Sequence, residues 1–447
     1  MSSEGKEEEC PFVSFLATVS SEERVQLLSS PPFTLFLFRL LNQSTQATIL
    51  SLICSSSIPT DNKKEESAII DTLESLDIVE KQNGQAVIRE CFRRAYLKAI
   101  LMGAYKCARL TVHEGEKKRK KEKEVTKKSA ERWEYVLRYL ALPSDTNTSN
   151  VSSTTRDVFF SANFTTHSNR DMDITSSGFQ FLLLSPVKQT WAYMIELFKL
   201  EMKEGRSVME LIDVIVRMVL CLDSDPEKRL LELDPTWTER QMNFVMHLRE
   251  LGLIFMRKRK DGVFYLTPLL SNLSVANDDG EAMKKGGNII VETNFRVYAY
   301  TSSSLHLAIL SSFTAMTYRF HDMCVGVLTR DSVRQALQVG ITADQIISFL
   351  RANAHPQAVA SKTPIPITVC DQIRLWEEER KRLLFTDAAL YCGFESEKEF
   401  VDVSSFAKEE NILLFSDSQR KCVVVTSEGH DKVKGWWKRR SEREGAR

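Results

Sequence analysis

Two groups of side chains in this sequence have the types and spacing suited to recognition chemistry. Arg257-Lys258-Arg259-Lys260 places four cations in succession, and such a run attracts phosphates. Arg296, Tyr298 and Tyr300 alternate along a predicted strand, and Arg and Tyr are enriched where proteins bind one another. Neither group pairs a nucleophile with a base. We therefore interpret both groups as parts of binding surfaces and not of a catalytic site.

The sequence motifs of common enzyme classes do not occur in the printed sequence. It contains no G-x-x-x-x-G-K-[ST] phosphate loop, no G-x-G-x-x-G and no H-E-x-x-H. The seven histidines are scattered and the nine cysteines form no C-x-x-C pair, so neither a zinc knuckle nor a disulfide framework is predicted. His247 fits a core role and His321 a capping role better than a ligand role. We expect a non-enzymatic protein that needs no cofactor and no metal.

Composition limits the partners and the compartment. Lysine plus arginine equals aspartate plus glutamate at 60 each, so only local basic patches would attract nucleic acid. No apolar run approaches the roughly 20 residues that span a bilayer. The acidic N-terminus lacks the basic start and apolar core of a signal peptide, so we expect the cytosol or the nucleus.

Two segments show a helix followed directly by a hairpin, which is the minimal outline of a winged helix. The first comprises a helix from Glu66 to Leu76 and two strands joined at Asn83-Gly84, followed by a second helix from Glu90 to Leu110. The basic run Lys117 to Lys128 comes next. It fits either a solvated linker between domains or a nucleic-acid contact.

The second helix-hairpin segment shows clearer signals. Thr238 and Gln241 have capping-box spacing, Gly252 is placed to end the helix, and Asp261-Gly262 to turn the hairpin. The wing tip then carries Arg257 to Lys260, which could face either a protein or DNA. Glu250 on the preceding helix would oppose phosphate, which favours the protein-facing alternative.

A third hairpin is predicted from Ile289. Residues alternate in both strands around Thr293-Asn294, and Asn tolerates the left-handed backbone of such a turn. A helix is expected from Ser303 to Phe320. Tyr298 and Tyr300 either form an exposed surface or pack under this helix.

These stretches, with ERWEYVLRYL from Glu131 and the ending VVVTSEGHDKVKGWWKRR, resemble the fifty-two-kilodalton subunit of the general transcription and repair factor TFIIH. The resemblance implies a mostly helical α+β chain. It would contain tandem winged-helix-like domains, a hairpin-plus-helices clutch domain and a small α/β dimerisation module at the C-terminus. The expected division is 1–114, a basic linker 115–130, 131–272, a linker 273–287, the clutch 288–360 and the C-terminal module 361–447.

The resemblance also implies a function. Members are non-catalytic architectural subunits of the nuclear TFIIH core, which acts in RNA polymerase II transcription initiation and nucleotide excision repair. They anchor an XPB-type helicase-translocase, stimulate its ATPase, pair with a TTDA-type eight-kilodalton subunit and contact other core subunits. The alternative is a winged-helix DNA-binding transcription factor.

Candidate partner-binding residues follow on this sequence. Those expected to bind the helicase are Glu292, Asn294, Arg296, Tyr298 and Tyr300. Those expected at the small-subunit interface are Ile412, Leu413, Leu414, Phe415, Val423, Val424 and Val425. The last set forms two near-continuous apolar runs, so either a partner or the module's own helices would cover the sheet. Arg257, Lys258, Arg259 and Lys260 are the candidates for nonspecific DNA contact.

Overall fold

The computed structural model describes residues 10–55, 57–59, 64–82, 85–108, 110–112, 122–141, 151–166, 174–222, 230–258, 261–274, 287–361, 363–382, 387–394 and 396–444. In this part of the chain helices predominate, and the strands form small antiparallel sheets, as an α+β chain requires. Two compact units divide the chain, Met1–Glu377 and Glu378–Arg447. The finer domain boundaries stay predictions.

The first unit begins with a helical layer followed by a three-stranded sheet. Its elements are α1 (Pro11–Leu16), α2 (Ser21–Leu28), α3 (Pro31–Leu40), α4 (Gln43–Ser55), β1 (Ser57–Pro59), α5 (Lys64–Ser75), β2 (Val79–Gln82) and β3 (Gln85–Ile88). Pro31 opens α3 because proline at the first helical position loses no hydrogen bond. The predicted strand pair is confirmed and gains β1, in the order β1-β3-β2. The predicted turn at Asn83-Gly84 lies outside the described residues.

Two predictions in the next segment need correction. The helix expected from Glu90 to Leu110 breaks into α6 (Glu90–Met102) and α7 (Ala104–Ala108), since Gly103 adopts φ +78°. Helix α8 (Glu122–Ala141) begins inside the basic run predicted as linker. Its basic residues alternate with Glu124 and Glu131, which form i,i+4 pairs with Lys128 and Lys127. Residues 117–121 lie outside the described part.

Most of the elements that follow α8 are also helices. They are α9 (Ser153–Ser161), α10 (Ser176–Leu183), α11 (Pro186–Lys203), α12 (Met209–Leu220) and α13 (Glu239–Leu251), with β4 (Leu230–Glu232), β5 (Ile254–Phe255), β6 (Val263–Leu266) and a 3-10 turn at Pro268–Ser274. The capping box of Thr238 and Gln241 is confirmed, and Gly252 ends α13 at φ +83°. The strands pair in the order β4-β6-β5.

The remainder of the first unit comprises a four-stranded sheet and the helices around it. Its elements are β7 (Ile289–Val291), β8 (Arg296–Ala299), α14 (Ser304–Ser311), β9 (Ala315–Arg319), β10 (Cys324–Val327), α15 (Arg330–Gln338), α16 (Ala343–Ala352), α17 (Pro356–Val359) and α18 (Ile367–Lys381). The helix predicted from Ser303 to Phe320 is wrong beyond Ser311, because β9 pairs with β10 instead. We call β7, β8, β10 and β9, which pair in this order, the clutch sheet.

The second unit is a small α/β module. Its elements are β11 (Ala388–Tyr391), α19 (Glu397–Glu409), β12 (Leu413–Asp417), β13 (Cys422–Thr426) and α20 (Ser427–Glu444), with strand order β11-β13-β12. The predicted hairpin of the last two strands is confirmed. The first unit has an extended apolar core, and the second has a separate small one. No helix in the described part of the chain combines the length and apolar content that a bilayer span demands.

Candidate protein-docking surfaces

The turn of the Ile289 hairpin is built from its own side chains. Phe295 takes the left-handed backbone at φ +67°, where Asn294 had been expected to. Asn294 serves the turn differently, since its Oδ1 accepts the backbone N–H of Arg296 at 3.0 Å and its Nδ2 donates to Glu292 at 3.0 Å. Three of the predicted helicase-binding residues, Glu292, Asn294 and Arg296, are therefore exposed at one tight turn.

The pairing register aligns side chains in rows across the clutch sheet. Ile290 pairs with Tyr298, Tyr298 with Val325, and Val325 with Tyr318, so one residue from each strand points to the same side. All four are exposed or half-buried, whereas the next row, of Ile289, Ala299 and Cys324, is buried. Tyr300 and Phe320 lie two residues beyond Tyr298 and Tyr318 in the chain, so their side chains project to the same exposed side of the sheet. We call this side, bearing Ile290, Tyr298, Tyr300, Tyr318, Phe320 and Val325, the open face.

The open face carries the predicted aromatic residues. Tyr298 is half-buried and its hydroxyl donates to Glu292 at 3.5 Å, while Tyr300 is exposed and its ring lies 5.9 Å from that of His355. Both tyrosines project to the exposed side of the strand, so the alternative of packing under α14 does not apply. A tyrosine that its neighbours already hold on one side, and that solvent contacts on the other, loses little side-chain entropy when a partner binds.

Sequence reasoning missed two of the four aromatic residues of this surface, Tyr318 and Phe320. Tyr318 is 62% and Phe320 58% exposed, and the two rings stack at 6.4 Å. The apolar spacing of Met316, Tyr318 and Phe320 has the period of a strand, and this signal could have identified β9. Every residue of β9 is exposed, and the strand forms an edge of the sheet.

The opposite edge of the clutch sheet is closed. The backbone of Ile289 accepts from His355 and donates to Asn353, and Gly287 donates to Ala354. A strand from a partner can therefore add beside β9 but not along this part of β7.

The buried side of the sheet is supported by the rest of the first unit. Phe313 and Phe349 pack edge to face at 6.0 Å in the core of the unit. Ser303 donates to Glu134 of α8 at 2.6 Å, and Gln180 of α10 donates to the carbonyl of Gly340 at 2.7 Å. These contacts hold the open face in a fixed orientation on the helical layer.

His306 of α14 marks the same junction. Burial lowers the pKa of His306, and the nearby Glu134 carboxylate opposes that shift. Burial therefore favours the neutral imidazole at this junction.

The second unit presents a similar open row. Leu390 pairs with Val424, and Val424 with Phe415, and Leu390 and Phe415 are 63% and 58% exposed. Leu414 is also exposed, at an irregularity of β12, while Leu413 and Val424 are half-buried.

Three of the residues predicted to bind the small subunit lie in the core of the module. Ile412, Val423 and Val425 are buried against the module's own core, because alternate residues of a strand face opposite sides. They support the sheet and do not line its open row. Leu390, which the sequence analysis did not select, does.

The wing tip of the second helix-hairpin unit is basic and exposed where it is described. Arg257 and Lys258 are both exposed. Arg259 and Lys260 lie outside the described residues. Among the described residues, no group of three or more His, Cys, Asp and Glu side chains is arranged to hold a metal ion.

Two family models match this chain along most of its length. The family model of transcription factor Tfb2 matches residues 14–356, and that of the Tfb2 (p52) C-terminal domain matches residues 371–438. The chain is 37% identical over 325 residues to general transcription factor IIH subunit 4 of Dictyostelium discoideum, covering 70% of this chain and 65% of that one.

Two further relatives are called general transcription and DNA repair factor IIH subunit TFB2. The Arabidopsis thaliana protein is 40% identical over 60% of this chain and 59% of its own length. The Saccharomyces cerevisiae protein is 30% identical over 70% of this chain and 72% of its own length. The chain thus spans about three fifths of the length of the first two relatives it matches.

Proposed function

Since this chain belongs to the Tfb2 family, we propose that it is a non-catalytic architectural subunit of a nuclear transcription and DNA repair factor IIH core, acting in RNA polymerase II transcription initiation and nucleotide excision repair. The printed names of its relatives support the assembly. The finer role, anchoring an XPB-type helicase and stimulating its ATPase, rests on the open face of the clutch sheet.

The open face supports an anchoring role because it is large, aromatic and rigidly backed. Tyr298, Tyr318 and Phe320 are residue types that dominate binding energy when a partner covers them. Arg296 and Glu292 add a charged rim, which favours specificity for one partner. An exposed apolar surface of this kind on a soluble chain is typical of a protein-binding site.

The helix-hairpin units support a tandem winged-helix proposal. Both three-stranded sheets have the same order, in which the strand before the helix pairs with the last strand of the hairpin. In the second helix-hairpin unit, α8 packs across α13 and β5, which supports a role of that helix in packing within the chain. The C-terminal unit, Glu378–Arg447, would bind the TTDA-type small subunit through its open row at Leu390 and Phe415.

Affinity purification of the full chain tests the anchoring role. The double variant Tyr298→Ala/Tyr318→Ala removes the two rings that flank Val325 in the central row of the open face. Each truncation should cost on the order of 2 kcal/mol of binding, about thirtyfold in affinity. The helicase should be lost from the complex purified from nuclear extract, while the small subunit is retained.

Phe160→Ala provides the matched control, because Phe160 is an exposed aromatic on α9. It should leave the helicase bound. Equal helicase recovery with the double variant and with the control would exclude the open face as the anchor.

A further inference from the structure

The tertiary structure brings together two basic segments that lie far apart in the sequence. Ser129 of α8 donates to the carbonyl of Gly252, and Arg132 donates to the carbonyl of Arg249 at 2.7 Å. These bonds place α8 against the end of α13 and the start of β5, directly before the wing tip with Arg257 and Lys258.

Cations converge around the side chain of Phe255. The Lys128 ammonium lies 5.9 Å and the Arg132 guanidinium 5.6 Å from the centre of its ring. Arg257 follows two residues later, about 7 Å along the strand direction. We call Lys128, Arg132, Arg249, Arg257 and Lys258 the basic surface.

Among the described residues, a carboxylate pairs with Lys128 of the basic surface, but none pairs with its other four cations. Glu124 pairs with Lys128 at 2.8 Å, and Glu131 approaches Lys127 at 3.9 Å, both within α8. Within the described residues, no carboxylate forms an ion pair with Arg132, Arg249, Arg257 or Lys258. Asp261 is the acidic residue of the wing itself.

Glu250, which the sequence places beside these cations, is turned inward. Its Oε1 accepts the backbone N–H of Ser152 at 2.8 Å, and its Oε2 faces His247 at 3.6 Å. The carboxylate that argued against phosphate binding is therefore engaged in the interior, and Arg249 beside it remains at the surface.

Arg132 and Arg249 lie next to each other, since the Arg132 guanidinium donates to the backbone carbonyl of Arg249 at 2.7 Å. Burial lowers the pKa of Arg132, and the neighbouring charge of Arg249 lowers it further. Placing like charges together raises the free energy of the unliganded surface, and an anion bound between them would relieve that cost.

We propose that the basic surface is a binding site for the phosphate backbone of duplex DNA, formed jointly by α8 and the wing of the second helix-hairpin unit. Guanidinium groups match phosphate oxygens with two parallel hydrogen bonds. The cations lie on two segments, α8 and the wing tip, and duplex DNA displays one phosphate charge per about 1.7 Å of its axis. A polyanion therefore engages both segments, whereas a single small anion engages one end only.

Two observations favour contact with the backbone of duplex DNA over recognition of its base sequence. Phe255 is buried beneath the cations, so its ring cannot stack with the bases of a single strand. Helix α8 packs across α13 and β5, which separates α13 from the base edges that a recognition helix would read.

Binding of the purified full chain to a short fluorescein-labelled duplex, followed by anisotropy over a series of salt concentrations, tests the site. Arg257→Gln/Lys258→Gln should reduce the slope of log affinity against log salt by about two, and Arg132→Gln by about one. Arg132→Lys should keep the slope of the wild type, since it retains the charge.

Arg334→Gln/Arg351→Gln is the matched control, because it removes two exposed cations from the clutch helices. It should leave the slope unchanged. If Arg132→Gln unfolds, as circular dichroism would reveal, Lys127→Gln/Lys128→Gln tests the α8 half in its place.

Three outcomes would overturn the proposal. One is a slope that falls only with the wing variant, which would leave α8 outside the site. Another is a slope that no variant changes, which would exclude both segments from the contact with DNA. The third is a strong preference between two unrelated duplexes. The assay contains no helicase, so its failure leaves the proposed function untouched.

Discussion

The hydroxyl of Tyr193 lies 2.9 Å from Nε2 of His247 in the interior of the first unit, and the two rings stack at 6.0 Å. Burial raises the pKa of Tyr193 far above its ordinary value, so the hydroxyl keeps its proton and can donate it. Nδ1 of the same imidazole faces Glu250. This chain of polar groups links α11 to α13 and, through Ser152, to the start of α9.

The first prediction concerns acid stability and Glu250. Burial opposes ionisation, but His247 and the Ser152 amide outweigh it and lower the pKa of Glu250 from 4.5 to about 2. A depressed pKa contributes stability that is present above the unfolded pKa and is lost as the pH falls from about 4.5 toward about 2.

Glu250→Gln should remove that contribution, on the order of 2 kcal/mol at neutral pH. Urea unfolding from neutral pH to below pH 3 measures it. The difference between wild type and variant should shrink as the pH falls, and a constant difference would contradict the linkage.

The second prediction concerns Gly252. It adopts φ +83°, and an added Cβ would lie 2.5 Å from the backbone oxygen of Ser129. Gly252→Ala must therefore strain the backbone and also separate α8 from α13. We expect a loss of about 3 kcal/mol or more in unfolding free energy.

Gly262→Ala separates these two effects. Gly262 also has a positive φ, +67°, but nothing lies within 4 Å of the added Cβ. Only the backbone cost of about 1 kcal/mol should appear. Equal destabilisation of the two variants in chemical denaturation would show that the close packing of α8 contributes nothing.

The third prediction concerns the open row of the C-terminal module. Leu390→Ser/Phe415→Ser removes two exposed apolar side chains and should abolish co-elution of the small subunit with the full chain in size-exclusion chromatography. The fold should be kept, because the buried layer of Val423 and Val425 is untouched. Val401→Ser, an exposed site on α19, should leave co-elution intact. Co-elution that survives the double variant would place the small subunit elsewhere.

The fourth prediction concerns thiol reactivity. Burial raises the pKa of Cys10 to about 11 and that of Cys221 to about 12, whereas Cys54 and Cys392 are exposed. In the native chain near pH 8, iodoacetamide should modify the exposed pair at least about a hundredfold faster, since the thiolate is the nucleophile. Peptide mass spectrometry measures the rates. Fast labelling of Cys221 would show that α12 opens readily.

Local signals in the sequence were reliable where a few neighbouring residues decide the outcome. The capping box of Thr238 and Gln241, the stop at Gly252 and the hairpin after Ile289 all form as predicted. A cap needs only residues three positions apart, and a hairpin only its turn and the alternation beside it.

The failures occurred where the pairing of strands decided the outcome. Residues 315–319 were assigned to the helix of α14, yet they form β9 because β10 offers a partner. Leu390 carried no local sign of exposure, which depends on the order β11-β13-β12.

The sequence by itself determined the family, most elements and the aromatic strand of Arg296, Tyr298 and Tyr300. Tertiary structure alone decided which side chains share a surface. Ser129 and Gly252 are 123 residues apart, and their contact joins α8 to the segment before the wing. The backbone N–H of Ser152, 98 residues from Glu250, holds that carboxylate away from the wing. The periodic spacing of apolar residues can be recognised within a short segment. The choice among distant packing partners depends instead on the burial of the whole core.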